Sequence, residues 1–94
     1  MDVRQEALAH LERLAEALST AGQFTAELVK VAKPYLEVAN ATTPRLNERV
    51  QCGPAGDGSW VFWWPWHQPI GPVDDLPAVT GKITAVLRAA GGSQ

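Results

Sequence analysis

The sequence contains one uncharged stretch, Gly58-Ser-Trp-Val-Phe-Trp-Trp-Pro-Trp-His-Gln-Pro-Ile-Gly-Pro-Val73, that holds all four tryptophans of the chain. If its first half is a β-strand, Trp60, Phe62 and Trp64 point to one face of a sheet and Trp63 points to the other. Both faces of this strand are then apolar, but a chain of 94 residues has too little material to cover both. We therefore expect Phe62 and Trp64 to enter a helix-covered core and Trp63 to lie on an open sheet face.

A glycine-rich turn precedes the tryptophan strand. The segment Gly53–Gly58 ends in Asp57-Gly58, which is a strong local signal for a β-hairpin. Before it, Arg45–Cys52 has the alternating pattern of a half-buried strand. We therefore predict that Arg45–Cys52 and Ser59–Trp64 form the two arms of one hairpin.

A proline-rich segment follows the tryptophan strand. Pro69, Gly71 and Pro72 interrupt the alternation, and proline cannot donate a hydrogen bond to a sheet. We expect Pro65–Pro72 to carry the chain out of the sheet irregularly, with Trp66 near this exit.

Helical periodicity is present at both ends of the chain. It predicts one helix over Val3–Ala21, ended by Gly22, and a second helix capped by Asp74 or Asp75. The expected apolar face of the first helix is Leu8, Leu11, Ala15 and Leu18, flanked by Ala7 and Leu14. The expected buried stripe of the second helix is Leu76, Val79, Ile83 and Val86 or Leu87.

Two segments between the first helix and Arg45 remain to be placed. Tyr35–Asn40 alternates as a strand does. Gln23–Lys33 fits either a strand or a helix, but its β-branched residues and the short distance between Gly22 and Pro34 favour a strand. The predicted fold class is α+β, with an N-terminal helix, an antiparallel three- or four-stranded meander and a C-terminal helix. Both helices are expected on one face of the sheet.

Length and composition bound the class of protein. The 94 residues predict a single domain spanning 1–94, with frayed residues at 1–2 and 89–94. The net charge is −2 without a run of like charge, which disfavours nucleic acid as a partner. Cys52 is the only cysteine, which fits a cytoplasmic protein. The longest uncharged run, Gly58–Val73, is shorter than the roughly 20 apolar residues of a membrane span, so no membrane association is expected.

No residue pattern in the sequence indicates catalysis or a metal site. His10 and His67 lack the spacing of metal ligands, and His10 is expected to pair with Glu6 one helical turn away. Cys52 follows the buried side of its predicted strand and is interpreted as an inert core thiol. We therefore predict a non-catalytic protein without a cofactor.

The C-terminal half resembles a group of short uncharacterised proteins of high-GC Gram-positive bacteria. The resemblance lies in the run from Trp60 to Trp66, in Pro69-Ile70-Gly71-Pro72 and in the paired Asp74-Asp75, and it covers about the last 40 residues. It implies a bacterial, cytoplasmic context and no established activity.

Two functional hypotheses follow from the aromatic stretch. The leading one is a small interaction module that binds a protein partner, or a second copy in a homodimer, through an aromatic sheet face or edge. The alternative is a small-molecule or carbohydrate-binding protein in which Trp63 and Trp66 stack on the ligand while His67 and Gln68 form hydrogen bonds. The predicted binding residues are Trp63, Trp66, His67, Gln68 and Pro69.

Overall fold

The computed structural model describes residues 3–87, which form two helices and one five-stranded sheet. In chain order the elements are α1 (Val3–Ala21), β1 (Phe24–Val29), β2 (Tyr35–Asn40), β3 (Asn47–Pro54), β4 (Trp60–Trp63), β5 (Pro69–Pro72) and α2 (Leu76–Leu87). The predicted bounds of α1 and β2 are confirmed, and the ambiguous segment after Gly22 is a strand. The expected fraying at 1–2 and 89–94 lies outside the described residues.

The sheet is an antiparallel meander in the order β1-β2-β3-β4-β5. The prediction of three or four strands is wrong, because Pro69–Pro72 pairs with β4 instead of leaving the sheet. Proline is tolerated there because β5 is an edge strand. On its outer side no neighbouring strand would accept a backbone hydrogen bond, so the missing N–H of proline is not needed. A β-bulge interrupts the register between Phe62 and Trp63.

The hairpins at the two ends of β4 have the same geometry. In the β3–β4 turn, Ala55 N–H donates to Ser59 at 2.7 Å, and Gly58 N–H donates to Ala55 at 2.9 Å. In the β4–β5 turn, Trp64 N–H donates to Gln68 at 2.9 Å, and His67 N–H donates to Trp64 at 3.0 Å. Each is a three-residue loop whose last residue has positive φ, 89° at Gly58 and 68° at His67.

A single hydrophobic core joins both helices to the sheet. Phe62 and Trp64 are buried in it, as expected, and in α2 the stripe ends on Leu87 while Val86 is exposed. The helix ends also agree with the sequence. Gly22 has a φ of 78° at the end of α1, and the carboxylate of Asp75 accepts a hydrogen bond from Ala78 N–H at 3.3 Å. The fully buried side chains are Leu11, Leu14, Leu18, Leu36, Val38, Val50, Phe62, Ile70, Val79 and Ile83.

The face of the sheet opposite Phe62 carries a row of charged residues. Glu27 lies directly across from Glu37, and Glu37 lies directly across from Arg49. The guanidinium of Arg49 also lies 4.9 Å from the ring centre of Tyr35. This part of the open face is therefore more polar than the tryptophan stretch alone suggests. Within residues 3–87, no helix is both long and apolar enough to cross a membrane.

Candidate functional site

β3 extends beyond the end of β2, and this difference leaves a notch in the sheet. The register pairs Tyr35 with Gln51, so the next position would set Pro34 beside Cys52. Pro34 has no N–H group and cannot continue the ladder of hydrogen bonds. The segment Cys52–Pro54 therefore pairs with β4 on one side and has no strand on the other.

A cavity of about 540 Å³ lies in this notch, and we term it the notch cavity. Residues 51–56 of β3 and the following turn form its base, and Trp63 and His67 stand at one side. The other walls come from the first turns of α1 and from the β1–β2 connection, which supply Val3, Arg4, Ala7, Ala32, Lys33 and Pro34. Its volume is within the range of natural small-ligand sites, about 300–1,000 Å³.

Two aromatic rings form one wall of the notch cavity. The rings of Trp63 and His67 are tilted by 32° with their centres 5.6 Å apart. Trp63 Nε1 donates a hydrogen bond to the carbonyl of Gly53 at 3.2 Å, which fixes the indole across β3. A positioned, partly exposed indole of this kind can stack on a flat apolar group.

The lining of the notch cavity also includes two cationic side chains, those of Arg4 and Lys33. Arg4 connects α1 to the β1–β2 connection, because its Nε donates to the carbonyl of Val31 at 3.1 Å. Lys33 lies in the same connection and is exposed. Among the described residues that line the notch cavity, none is Asp or Glu.

Cys52 lies at the base of the notch cavity with its side chain partly buried against the core. Burial, and then the negative charge of Glu6, raise the pKa of its thiol from 9.0 to about 12. At neutral pH the thiol is protonated and therefore a poor nucleophile. Cys52 supplies an uncharged surface to the cavity.

The remaining predicted site residues lie outside the lining of the notch cavity. Trp66 stacks on the buried Trp64, with ring centres 5.2 Å apart and planes inclined by 7°. Its Nε1 donates to Oε1 of Gln68 at 2.8 Å. Pro69 is exposed and pairs with Trp63 at the start of β5. Of the five residues predicted from the sequence, the structure brings two to the cavity, Trp63 and His67.

His10 forms the expected pair with Glu6, with Nε2 3.5 Å from the carboxylate oxygen. Its ring also lies 5.4 Å from the ring of Trp60, a contact that the sequence analysis missed. Among residues 3–87, no group of three or more His, Cys, Asp or Glu side chains is placed to hold a metal ion.

Most of the cavity lining was not identified from the sequence. Ala7, Ala32 and Pro34 carry no chemical signature, and they meet only because the β1–β2 connection lies against α1 and the end of β3. One local signal was present. Pro34 cannot continue a ladder of hydrogen bonds, so the extra length of the predicted strand Arg45–Cys52 relative to Tyr35–Asn40 indicated an unpaired strand end.

No protein-family model, curated protein or solved structure matches this chain. The resemblance to short proteins of high-GC Gram-positive bacteria therefore stays a prediction.

Proposed function

We propose that the chain is a small, non-catalytic cytoplasmic binding domain that takes up a small ligand with a flat apolar ring in the notch cavity. The observation that carries the proposal is the wall formed by Trp63 and His67 beside a cavity of about 540 Å³. Aromatic side chains held in place beside a mainly apolar concavity are typical of small-ligand sites.

The charges of the open sheet face favour the notch cavity over that face as the binding surface. Glu27, Glu37 and Arg49 form a solvated row across β1, β2 and β3. Charged residues are depleted from the centres of protein interfaces. A partner would have to desolvate this row, whereas a ligand in the notch cavity would contact Trp63 without disturbing it.

Binding without chemistry is supported by the state of the thiol at the base. A pKa of about 12 leaves Cys52 protonated, so nucleophilic attack by its sulfur is disfavoured. His67 lies beside the indole of Trp63. Its position suits a contact with a ring-shaped ligand.

A carbohydrate fits the site less well than a planar ring. The sequence-based alternative needed Trp63 and Trp66 on one ligand, with Gln68 as a hydrogen-bonding group. The amide oxygen of Gln68 accepts from the indole of Trp66, and Trp66 stacks on Trp64 outside the cavity lining. A sugar would also require several polar partners, whereas most lining side chains are apolar.

Isothermal titration calorimetry with the neutral aromatic probe 2-naphthamide tests the proposal. The wild-type chain is expected to bind it, and Ala32→Phe is expected to weaken binding by at least about tenfold, since the added ring occupies the cavity. Ala32 is exposed, so the substitution leaves the core untouched. Ala41→Phe is the matched control, because Ala41 is an exposed residue in the β2–β3 connection, at the other end of β2.

Three results bear on the proposal. Saturable binding that Ala32→Phe weakens and Ala41→Phe leaves unchanged supports it. Equal binding by both variants would place the probe elsewhere on the surface. Absence of binding by 2-naphthamide would overturn the proposal.

A second candidate function is association with a protein partner or with another copy of the chain through Trp66. The observation in its favour is that 52% of the Trp66 surface is exposed next to the exposed Pro65 and Pro69. Sedimentation velocity at micromolar concentration tests the homodimer. Self-association that Trp66→Ser abolishes and Val86→Ser preserves would support it, since Val86 has a similar exposed fraction, 47%, on α2. A monomer at all concentrations would exclude the homodimer.

A further inference from the structure

We infer that the ligand of the notch cavity carries a hydrogen-bond donor, an N–H or O–H group, at the edge of its flat ring; this inference rests on the proposed function. The acceptors are the backbone carbonyls of Cys52 and Pro54. The inference is carried by the direction of the backbone groups in the strand end that forms the base of the cavity.

The direction of these groups follows from the register of β3. In an antiparallel sheet the N–H and C=O of one residue point to the same neighbouring strand, and those of the next residue point to the other side. Asn40 N–H donates to the carbonyl of Leu46 at 2.9 Å, in line with the β2–β3 ladder, so the even-numbered residues face β2. Ala55 N–H donates to the carbonyl of Ser59 at 2.7 Å, in line with the β3–β4 ladder, so the odd-numbered residues face β4. Beyond the end of β2, the even-numbered residues of β3 therefore face the notch.

Two prolines remove the N–H donors from this edge. The register sets Pro34 across from Cys52, and Pro34 has no N–H group to donate to the carbonyl of Cys52. Pro54 has no N–H of its own, and β2 begins at Tyr35, so no strand residue lies across from the carbonyl of Pro54. The strand end therefore presents two carbonyls to the notch without a strand donor for either.

The carbonyl between these two already accepts a hydrogen bond from an aromatic ring. Gly53 faces β4, and its carbonyl receives the indole N–H of Trp63 at 3.2 Å. Cys52 and Pro54 flank Gly53 in the strand. A ring stacked on this indole therefore has its edge near their carbonyls.

The two carbonyls select for a donor because binding removes their water. A backbone carbonyl without a protein donor is hydrated in the free protein. A ligand with an N–H or O–H group replaces that hydrogen bond, whereas a ring without a donor displaces the water and leaves the carbonyl unpaired. The site therefore discriminates against rings that lack a donor.

Two neutral probes of nearly the same shape isolate the donor. N-methyl-2-naphthamide and methyl 2-naphthoate share the ring, the carbonyl and the terminal methyl group, and the ester has an oxygen in place of the amide N–H. We expect the amide to bind at least about tenfold more tightly in calorimetry, because the ester leaves a carbonyl of β3 unpaired. Both probes are uncharged, so added salt is expected to leave the ratio of their affinities unchanged.

The ¹³C shifts of the backbone carbonyls locate the hydrogen bond. In an HNCO spectrum each carbonyl is detected through the next N–H, that of Gly53 for Cys52 and that of Ala55 for Pro54. Saturation with the amide is expected to move one or both signals downfield, and saturation with the ester is expected to move neither downfield. The carbonyl of Val50 is the matched control, since it faces β2 and already pairs within the ladder.

Pro34→Ala tests the missing donor from the side of the protein. The variant supplies an N–H across from Cys52, which extends the ladder and occupies that carbonyl. Its preference for the amide over the ester is expected to fall to about threefold, whereas Pro44→Ala, at an exposed proline of the β2–β3 connection, is expected to keep the wild-type preference. Pro34 is buried, so circular dichroism first checks that the variant folds. If it does not fold, the carbonyl shifts of the wild-type chain decide.

The outcomes distinguish the two levels of the claim. Equal affinity of the amide and the ester, or shifts that leave the carbonyls of Cys52 and Pro54 unmoved, would overturn the donor inference while the ligand site stands. Failure of both probes and of 2-naphthamide to bind would overturn the proposed function and the inference with it. A preference for the amide together with a downfield shift at Cys52 or Pro54 supports both.

Discussion

His67 is the one described residue other than glycine that has a positive φ. A left-handed conformation costs a residue with a Cβ about 1–2 kcal/mol, a cost that glycine avoids. The equivalent position in the other hairpin of β4 is occupied by Gly58. The two turns can therefore be compared within one molecule. In the β4–β5 turn the strained backbone position is kept by a residue with a side chain, and the ring of that residue lies beside Trp63.

We predict that His67→Gly raises the free energy of unfolding by about 1 kcal/mol, because it removes the strain at this position. The same variant is expected to bind 2-naphthamide more weakly, since it deletes one ring of the aromatic wall. Urea unfolding followed by circular dichroism measures the first effect and calorimetry the second. Gly58→His is the reciprocal control and is expected to lower the free energy of unfolding by a similar amount. Destabilisation by His67→Gly would mean that the contact with Trp63 outweighs the backbone strain.

Cys52 is predicted to react slowly in the folded protein. With its pKa raised from 9.0 to about 12, the thiolate fraction at pH 8 is about a thousandfold lower than in an unfolded chain. Alkylation by iodoacetamide at pH 8, followed by mass spectrometry, is expected to be far slower in buffer than in urea. Equal rates in the two conditions would contradict the burial of the thiol.

The same pKa shift predicts the direction of a pH effect on stability. The unfolded chain loses the thiol proton near pH 9 and the folded chain near pH 12. Between these values the folded state binds more protons, so the free energy of unfolding falls as the pH rises. Cys52→Ala removes this contribution and serves as the control for other groups that titrate in this range.

At the scale of elements, α2 packs closely on the edge strand β5. A Cβ added at Gly71 would lie 3.0 Å from Cγ2 of Val79, which is fully buried. A valine in a helix has one strongly preferred rotamer and cannot easily move aside. This contact explains why a glycine occupies the middle of β5, where a larger residue would push against α2.

Gly71→Ala is therefore predicted to lower the free energy of unfolding by about 1–2 kcal/mol through overpacking. In the Val79→Ala background the same substitution is expected to cost less, because the clashing methyl group is absent, and a double-mutant cycle in urea measures the difference. Gly81→Ala in α2 is the control. Nothing lies near its added methyl group, so the variant is expected to gain about 0.5–1 kcal/mol from helix propensity. A neutral Gly71→Ala would show that α2 can shift away from β5.

The elements that could be predicted from the sequence are those with an uninterrupted period. Apolar residues at helical spacing predicted α1 over its full length, and strict alternation predicted β2. β5 was missed because Pro69 and Pro72 are read as strand breakers, although an edge strand tolerates them. The β4–β5 turn was missed as well, because His67 occupies the positive-φ position at which a glycine would have indicated a hairpin.

At the scale of the whole molecule, the notch cavity depends on contacts that no local pattern encodes. It arises because β3 extends past β2 and because α1 and the β1–β2 connection close the space beside it. Alternation predicted that Trp63 and Trp64 face opposite ways, and this separation holds. The position of Trp63 at the cavity and of Trp66 outside it depends on β5 and on the turn that joins β5 to β4. Neither feature was predicted, so the sequence did not show which of the two tryptophans would line a cavity.

The central claim is that a small aromatic ligand binds beside Trp63 in the notch cavity. The most direct test is a two-dimensional ¹H–¹⁵N spectrum of the four indole N–H groups during titration with 2-naphthamide, with the signals assigned from the Trp63→Phe and Trp66→Phe variants. Trp63 alone lines the cavity and donates to Gly53, so its signal is predicted to shift most as the probe saturates. A shift confined to Trp66, or four signals that do not move, would contradict the account.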